Sequence, residues 1–235
     1  MLCLKRFAIL CALCVAVSGI AAAQQLGTHA MTVEESYLQE SIELMIIREQ
    51  SRANSRDMKF IALEYIGDMI ERGNRSEEIH STLEFLGLEG VRSLARESGR
   101  LVNNFPDVRM RAATRLGELG TPEARDILAT MLLADNEPMV ISEVIRSLGI
   151  IGLNENEETA NAISWVVQRF DIVNPNNMLA FAALDAYERL IAANGGIVST
   201  NTINTIIRIA EGNYIRPVRE RARVLLSELR GSPQQ

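Results

Sequence analysis

The stretch that decides the fold runs from Pro106 to Gly152. It reads Pro-Asp-Val-Arg-Met-Arg-Ala-Ala-Thr-Arg-Leu-Gly-Glu-Leu-Gly from Pro106, Thr-Pro-Glu-Ala-Arg-Asp-Ile-Leu-Ala-Thr-Met-Leu-Leu-Ala-Asp from Thr121, and Glu-Pro-Met-Val-Ile-Ser-Glu-Val-Ile-Arg-Ser-Leu-Gly-Ile-Ile-Gly from Glu137. The Pro-led segment returns 32 residues later: Val108 falls on Val140, Ala112 on Val144, Leu116 on Leu148, Gly117 on Gly149 and Gly120 on Gly152. Proline suits the first turn of a helix, where a missing N–H is harmless, and glycine suits the residue that ends one. Apolar residues at helical spacing, repeating with such a period, are the signature of an α-solenoid, in which helix pairs stack into one continuous core.

Working outward, the same pattern recurs. Ser55 to Arg72 carries Asp57-Met58-Lys59 where Asp107-Val108-Arg109 stands later, with Ala62, Ile66 and Gly67 in register and Gly73-Asn74 as the stop. Toward the C-terminus the spacing predicts helices over Glu157 to Ile172, Asn176 to Ala193, Thr200 to Glu211 and Pro217 to Leu229, with Asn194-Gly195-Gly196 as a break. The last helix has a single apolar face of Val218, Ala222, Leu225, Leu226 and Leu229, as a terminal repeat requires. The step from Met58 to Val108 is 50 residues, too long for one repeat. Ser76 to Leu86 and Gly90 to Asn103 read there as two helical stretches, one repeat enlarged by an extra helix, and no segment reads as an alternating strand. The expected class is all-α.

The N-terminal residues read as an address. Lys5 and Arg6 precede an apolar run from Phe7 to Ile20, and Ala21-Ala22-Ala23 offers a cleavage site before Gln24. The run is shorter than the roughly 20 residues of a membrane span, so residues 1–23 are expected to be a cleaved secretory signal, 24–32 a flexible leader, 33–230 the repeat domain and 231–235 a tail. Cys3, Cys11 and Cys14 all lie in the signal, and Leu10 and Leu13 occupy places where a lipoprotein needs a small residue. The remainder has no cysteine, which excludes disulfides, thiolate metal sites and cysteine nucleophiles. Without Lys5 and Arg6 the net charge falls from −6 to −8, against general nucleic-acid binding, which depends on neutralising phosphates. Lys59 is then the only lysine. That bias reflects either genomic composition or the bidentate hydrogen bonding of guanidinium.

The helix expected from about Val33 to Gln50 carries Val33, Tyr37, Leu38, Ile42, Leu44, Met45, Ile46 and Ile47 around most of its circumference. It is either wedged between its own pair-mate and the next repeat or a contact for a partner, a homodimer through Val33 to Gln50 included.

Pro, then Val-Arg, Ala-Ala, Leu-Gly and a closing Gly resemble the HEAT repeat, particularly the short bacterial kind found in phycobilin lyases. The likeness is best over Pro106 to Gly152, fair at Asp57 to Gly67 and Pro217 to Leu229, and weak at Asn176 to Leu190, where Tyr187 replaces the glycine. It implies a right-handed α-solenoid of about five helix pairs and a role as a protein-interaction scaffold or adaptor, in the periplasm or secreted given the signal, with no cofactor. Ala112 and Ala113 let paired helices approach, and Gly117 and Gly149 relieve crowding where repeats stack. Iron hydroxylases built on such repeats ligate metal through His-Glu pairs. Here His29 precedes Ala30 and His80 precedes Ser81, so neither metal nor nucleophilic chemistry is expected.

Candidate binding features remain. Arg216, Arg219, Arg223 and Arg230 share a narrow arc of the last helix, either a partner-binding stripe or a solvated cap, and Arg92, Arg96 and Arg100 would form a second stripe. Arg109 reads as structural, bonding Asp107 or an equivalent acid. Trp165, beside Ile163, Val166 and Val167, reads as core before interface anchor, although tryptophan is enriched at binding hot spots. Asn154 to Glu158 lacks the alternating acids and glycine of a calcium loop. Asn74-Arg75-Ser76 fits a glycosylation sequon. The rival to a scaffold is an enzyme or small-ligand carrier using Glu118, Glu143 or Asp185 in the groove; a third reading is self-assembly through the first helix.

Overall fold

The structure is a computed structural model describing residues 32–173, 175–196 and 198–231. The expected signal, its Ala23/Gln24 cleavage site and most of the leader and tail lie outside these residues. Among the described residues there are ten helices: α1 (Val33–Arg52), α2 (Arg56–Glu71), α3 (Glu77–Leu88), α4 (Pro106–Leu119), α5 (Pro122–Ala134), α6 (Pro138–Ile151), α7 (Glu158–Val173), α8 (Asn177–Ala193), α9 (Thr200–Glu211) and α10 (Arg216–Gly231). The chain divides into two compact units, 1–41 and 42–235, with the division inside α1.

In the first unit, the described residues hold the first half of α1. A reciprocal cap opens it: Glu35 N–H donates to Thr32 Oγ1 (3.2 Å) and Thr32 N–H donates to Glu35 Oε2 (2.9 Å). The Thr-x-x-Glu spacing thus satisfies two otherwise orphaned donors. Val33 and Leu38 are exposed.

In the second unit α2, α4, α6, α8 and α10 pack one against the next as one layer, and α3, α5, α7 and α9 form the other. This is an all-α, HEAT-like solenoid, with the Pro-led helices filling one layer. The second half of α1 joins the core through Ile47, which is fully buried, and through ion pairs of Arg72 with Glu43 and of Arg48 with Glu78. The α5, α8 and α9 starts are capped by Thr121, Asn176 and Ser199, whose side-chain oxygens each accept an N–H three residues on at 3.1 Å.

Stacking explains the glycines. A Cβ on Gly117 would lie 2.8 Å from Ser147 Oγ, and one on Gly149 would lie 2.8 Å from Ala186 Cα, so each glycine admits the next signature helix at backbone distance. These contacts also correct the register of α8. Ser147 and Ala186 are equivalent, so the glycine position of α8 is Glu188. Tyr187 therefore takes the inward place of Leu116 and Leu148; it is fully buried, its hydroxyl 2.8 Å from Ser164 Oγ.

The extra helix expected over Gly90 to Asn103 is not formed, nor is the chain free of strands. Residues 96–97 and 100–101 form an antiparallel hairpin, β1 (Arg96–Glu97) and β2 (Arg100–Leu101). Ser98 (φ 49°) and Gly99 (φ 81°) are both left-handed, the conformation a tight two-residue hairpin turn requires. Arg92, Arg96 and Arg100 are accordingly not a helical stripe.

Two cations are buried at one repeat position. Lys59 Nζ lies 2.7 Å from Glu89 Oε2 and donates to Ser51 O (2.7 Å). Arg109 donates to Asp135 (Nε–Oδ2 2.6 Å), to Asn104 Oδ1 (2.8 Å) and to Glu89 O (3.4 Å). Arg109 is structural as expected, but its acid is Asp135, because the side chain turns between the layers. Asp107 instead pairs with Arg56 of the preceding repeat. Removing one member of such a buried pair costs about 3–5 kcal/mol, since the other is left without compensation.

Candidate interaction surfaces

The four arginines of α10 share an arc, and each has different surroundings. Arg216 donates to Glu220 Oε1 (2.5 Å) one turn on. Arg219 follows Pro217-Val218 as Arg109 follows Asp107-Val108; it is half-buried, and its Nε has no hydrogen-bond partner among the described residues. Arg223 reaches back to Ala210 O (3.4 Å) at the end of α9, and Arg230 is exposed. Glu220 stands in their midst. Its carboxyl is held below the ordinary carboxylate range, first by the Arg216 hydrogen bond and further by the charges of Arg223 and Arg219.

The three carboxylates of the enzyme reading are each held by an arginine. Glu118 binds Arg115 (2.7 Å), and Glu143 binds Arg146 and accepts from Thr114 Oγ1 (2.9 Å). Asp185 accepts from Arg189 (3.0 Å) and from Arg221 (3.2 Å). Arg221 also binds Glu188 (2.7 Å) and lies 4.6 Å from the Phe181 ring centroid. Asp185 and Glu188 thus converge on a guanidinium, an arrangement that links α8 to α10 and does not leave one carboxyl free to hand a proton to the other. His80 is likewise committed. Its Nδ1 lies 2.9 Å from Ser76 O, which can only accept, so Nδ1 is protonated, and Nε2 lies 2.7 Å from Thr121 Oγ1. No group of three or more His, Cys, Asp or Glu side chains among the described residues is placed to hold a metal ion.

Trp165 contradicts the reading as core: 52% of it is exposed. Helical arithmetic explains why. Ile163 and Val167 are buried, and Trp165 is two residues from each, on the opposite side of α7. That signal was present in the sequence. Arg169, one turn on, places its guanidinium 5.1 Å from the Trp165 centroid and the same distance from that of Phe170, while Nη2 donates to Asp135 O (3.2 Å). Ile172, seven residues beyond Trp165 on the same face, is 79% exposed. A tryptophan, a guanidinium 5.1 Å from its ring centroid and an exposed isoleucine thus share this face, and Trp and Arg are residue types enriched among those that carry most binding energy at protein interfaces.

A cleft of about 580 Å³ opens between the end of α1 and the start of α3, lined by Arg48, Ser51, Arg52, Glu78, Ser81 and Phe85. The Arg48–Glu78 ion pair lies on its wall.

Residues 100–171, from β2 through most of α7, match the family model for HEAT repeats. Residues 100–171 carry HEAT repeats. The matched segment contains the Pro106 to Gly152 stretch and the Trp165–Arg169 pair. The match names the repeat without distinguishing the phycobilin-lyase kind. No curated protein matches the chain significantly. HEAT repeats typically serve as non-catalytic scaffolds for protein–protein interaction.

Proposed function

We propose that this HEAT-repeat chain is an exported, non-catalytic scaffold of the cell envelope, periplasmic, and that it holds another protein against the outward face of α7. The observation that carries the reading is the exposure of Trp165, with the Arg169 guanidinium 5.1 Å from its ring centroid. The exposed half of the tryptophan leaves apolar area in water, which a partner would remove at about 25 cal/mol per Å². Export rests on Lys5 and Arg6, the apolar run and the Ala21-Ala22-Ala23 site. The test is a photo-cross-linking residue at Trp165 in the producing cells: one envelope protein should be captured there, and Arg169→Ala should weaken its capture. Equal capture from sites on every face, or none, would contradict the reading.

A second copy is the alternative partner. Ile42 and Met45 are 52% and 60% exposed on the first helix of the repeat unit, where a terminal repeat is expected to be polar. Sedimentation at rising concentration distinguishes the cases: a dimer abolished by Ile42→Asp would move the function toward self-assembly.

A further inference from the structure

We infer that the hairpin loop of residues 91–102 is a docking finger for an acidic, extended segment of a partner protein. This rests on the interaction reading and adds to it a site and a class of ligand. The loop is an insertion. The other connections inside the helix pairs span a few residues, as between Ala134 and Pro138, whereas Leu88 and Pro106 are separated by a full hairpin. Repeat proteins place such insertions on one edge of the stack, often the edge that binds.

Its charge runs against that of the chain. Arg92, Arg96 and Arg100 against Glu97 give the loop a net charge of +2 in a chain of −6, and all four are exposed. Arg96 donates to Gly99 O (3.2 Å) across the turn, while the side chains of Arg92 and Arg100 form no ion pair among the described residues. Leu94, between Arg92 and Arg96, is 55% exposed. Guanidinium groups with an apolar side chain among them match a peptide of alternating carboxylate and apolar residues, each carboxylate taking a bidentate pair.

The root of the finger is fixed by buried groups. Asn103 Nδ2 donates to Ser93 O (2.7 Å), and Ala95 N–H donates to Asn103 Oδ1 (2.9 Å). Gly90 meets the Asn103 carbonyl so closely that an added Cβ would lie 2.4 Å from it. Glu89, just before, is held by Lys59 and Arg109. The arginines are therefore presented on a braced loop, which lowers the ordering cost of binding. Three basic residues are fewer than the cluster of about 4–8 that marks an anionic membrane site, and the acidity of the whole chain disfavours nucleic acid.

The test uses the full purified chain on an array of immobilised dodecapeptides in acidic, basic and uncharged sets. Acidic peptides should be preferred, and R92E/R96E/R100E should weaken their binding at least tenfold. The substitution R216E/R223E on α10 should change it little. Because the three positions are exposed, helicity should be unchanged, and R92Q/R96Q/R100Q repeats the test without charge reversal. Binding without acidic preference, or acidic binding indifferent to these substitutions, would overturn the finger and leave the interaction reading standing. Loss of binding to phosphatidylglycerol vesicles in place of peptides would overturn it in favour of a membrane, and a chain that binds no peptide would count against both.

Discussion

Arg109→Met tests how the repeats are joined. Methionine keeps much of the arginine's length and leaves little cavity, so the loss isolates the charge. The side chains of Arg109 and Asp135 are 2% and 3% exposed, and removing the cation leaves a carboxylate in the interior. Breaking a buried pair costs about 3–5 kcal/mol. Asp135 keeps hydrogen bonds from Asn136 N–H (2.7 Å) and Glu137 N–H (2.9 Å), which places the loss near the lower end. For a chain of this size each kcal/mol lowers Tm by about 2–4 °C, so a fall of about 10 °C is expected by far-ultraviolet circular dichroism. The double variant R109M/D135N removes the stranded charge and keeps a capping oxygen, and should recover about half of the loss. Because each repeat touches only its neighbours, hydrogen exchange should rise first in α3 to α6. A fall of less than about 2 °C for Arg109→Met, or a double variant no more stable than the single one, would refute the reasoning.

Gly149→Ala should destabilise by about 1–3 kcal/mol, because the new methyl meets the Ala186 backbone and cannot be relieved by a rotamer change; urea denaturation measures it. Burial pushes the Tyr187 phenol up, and burial with a hydrogen bond to Asp171 does the same for Tyr214, so an alkaline absorbance titration should show both ionising only as the chain unfolds. Glu220 has a depressed pKa in the fold, chiefly through Arg216, so its contribution to stability is present above the ordinary carboxylate range and lost as pH falls through the lowered value. Arg216→Gln should raise the Glu220 midpoint in a carboxyl NMR titration; an unchanged midpoint would remove Arg216 as the cause. The single tryptophan reports its own environment: emission should be red-shifted and readily quenched by acrylamide, whereas a blue, protected spectrum would return Trp165 to the core.

The fold was legible because its determinants are local. Pro106 and Pro138 mark starts, Gly120 and Gly152 mark stops, and Val108, Ala112 and Leu116 recur at helical spacing, so one copied unit implies its neighbours. The hairpin is hidden in the sequence because Arg92, Arg96 and Arg100 stand four apart, as they would on a helix, while the deciding signal is the short Ser98-Gly99 turn. The register of Tyr187 is not legible in the sequence to within one residue, because α8 has no glycine to mark where the next helix packs. The acid partnering Arg109 could not be read locally: Asp135 lies 26 residues away and meets it only when two repeats stack. The sequence neighbours of Trp165 are apolar, but its angle from Ile163 and Val167 places it outside. The partner-facing chemistry is the least legible part, because an exposed side chain is under no packing constraint that leaves a pattern.

The most direct test of the central claim is site-specific photo-cross-linking in the producing cells, with the reactive group placed in turn at Trp165, Leu94 and Ile150. The account predicts one envelope protein captured from Trp165, with Leu94 reaching an acidic segment of a partner and Ile150, on the opposite layer, capturing little. Capture from Ile150 alone, or no protein captured at any position, would contradict it.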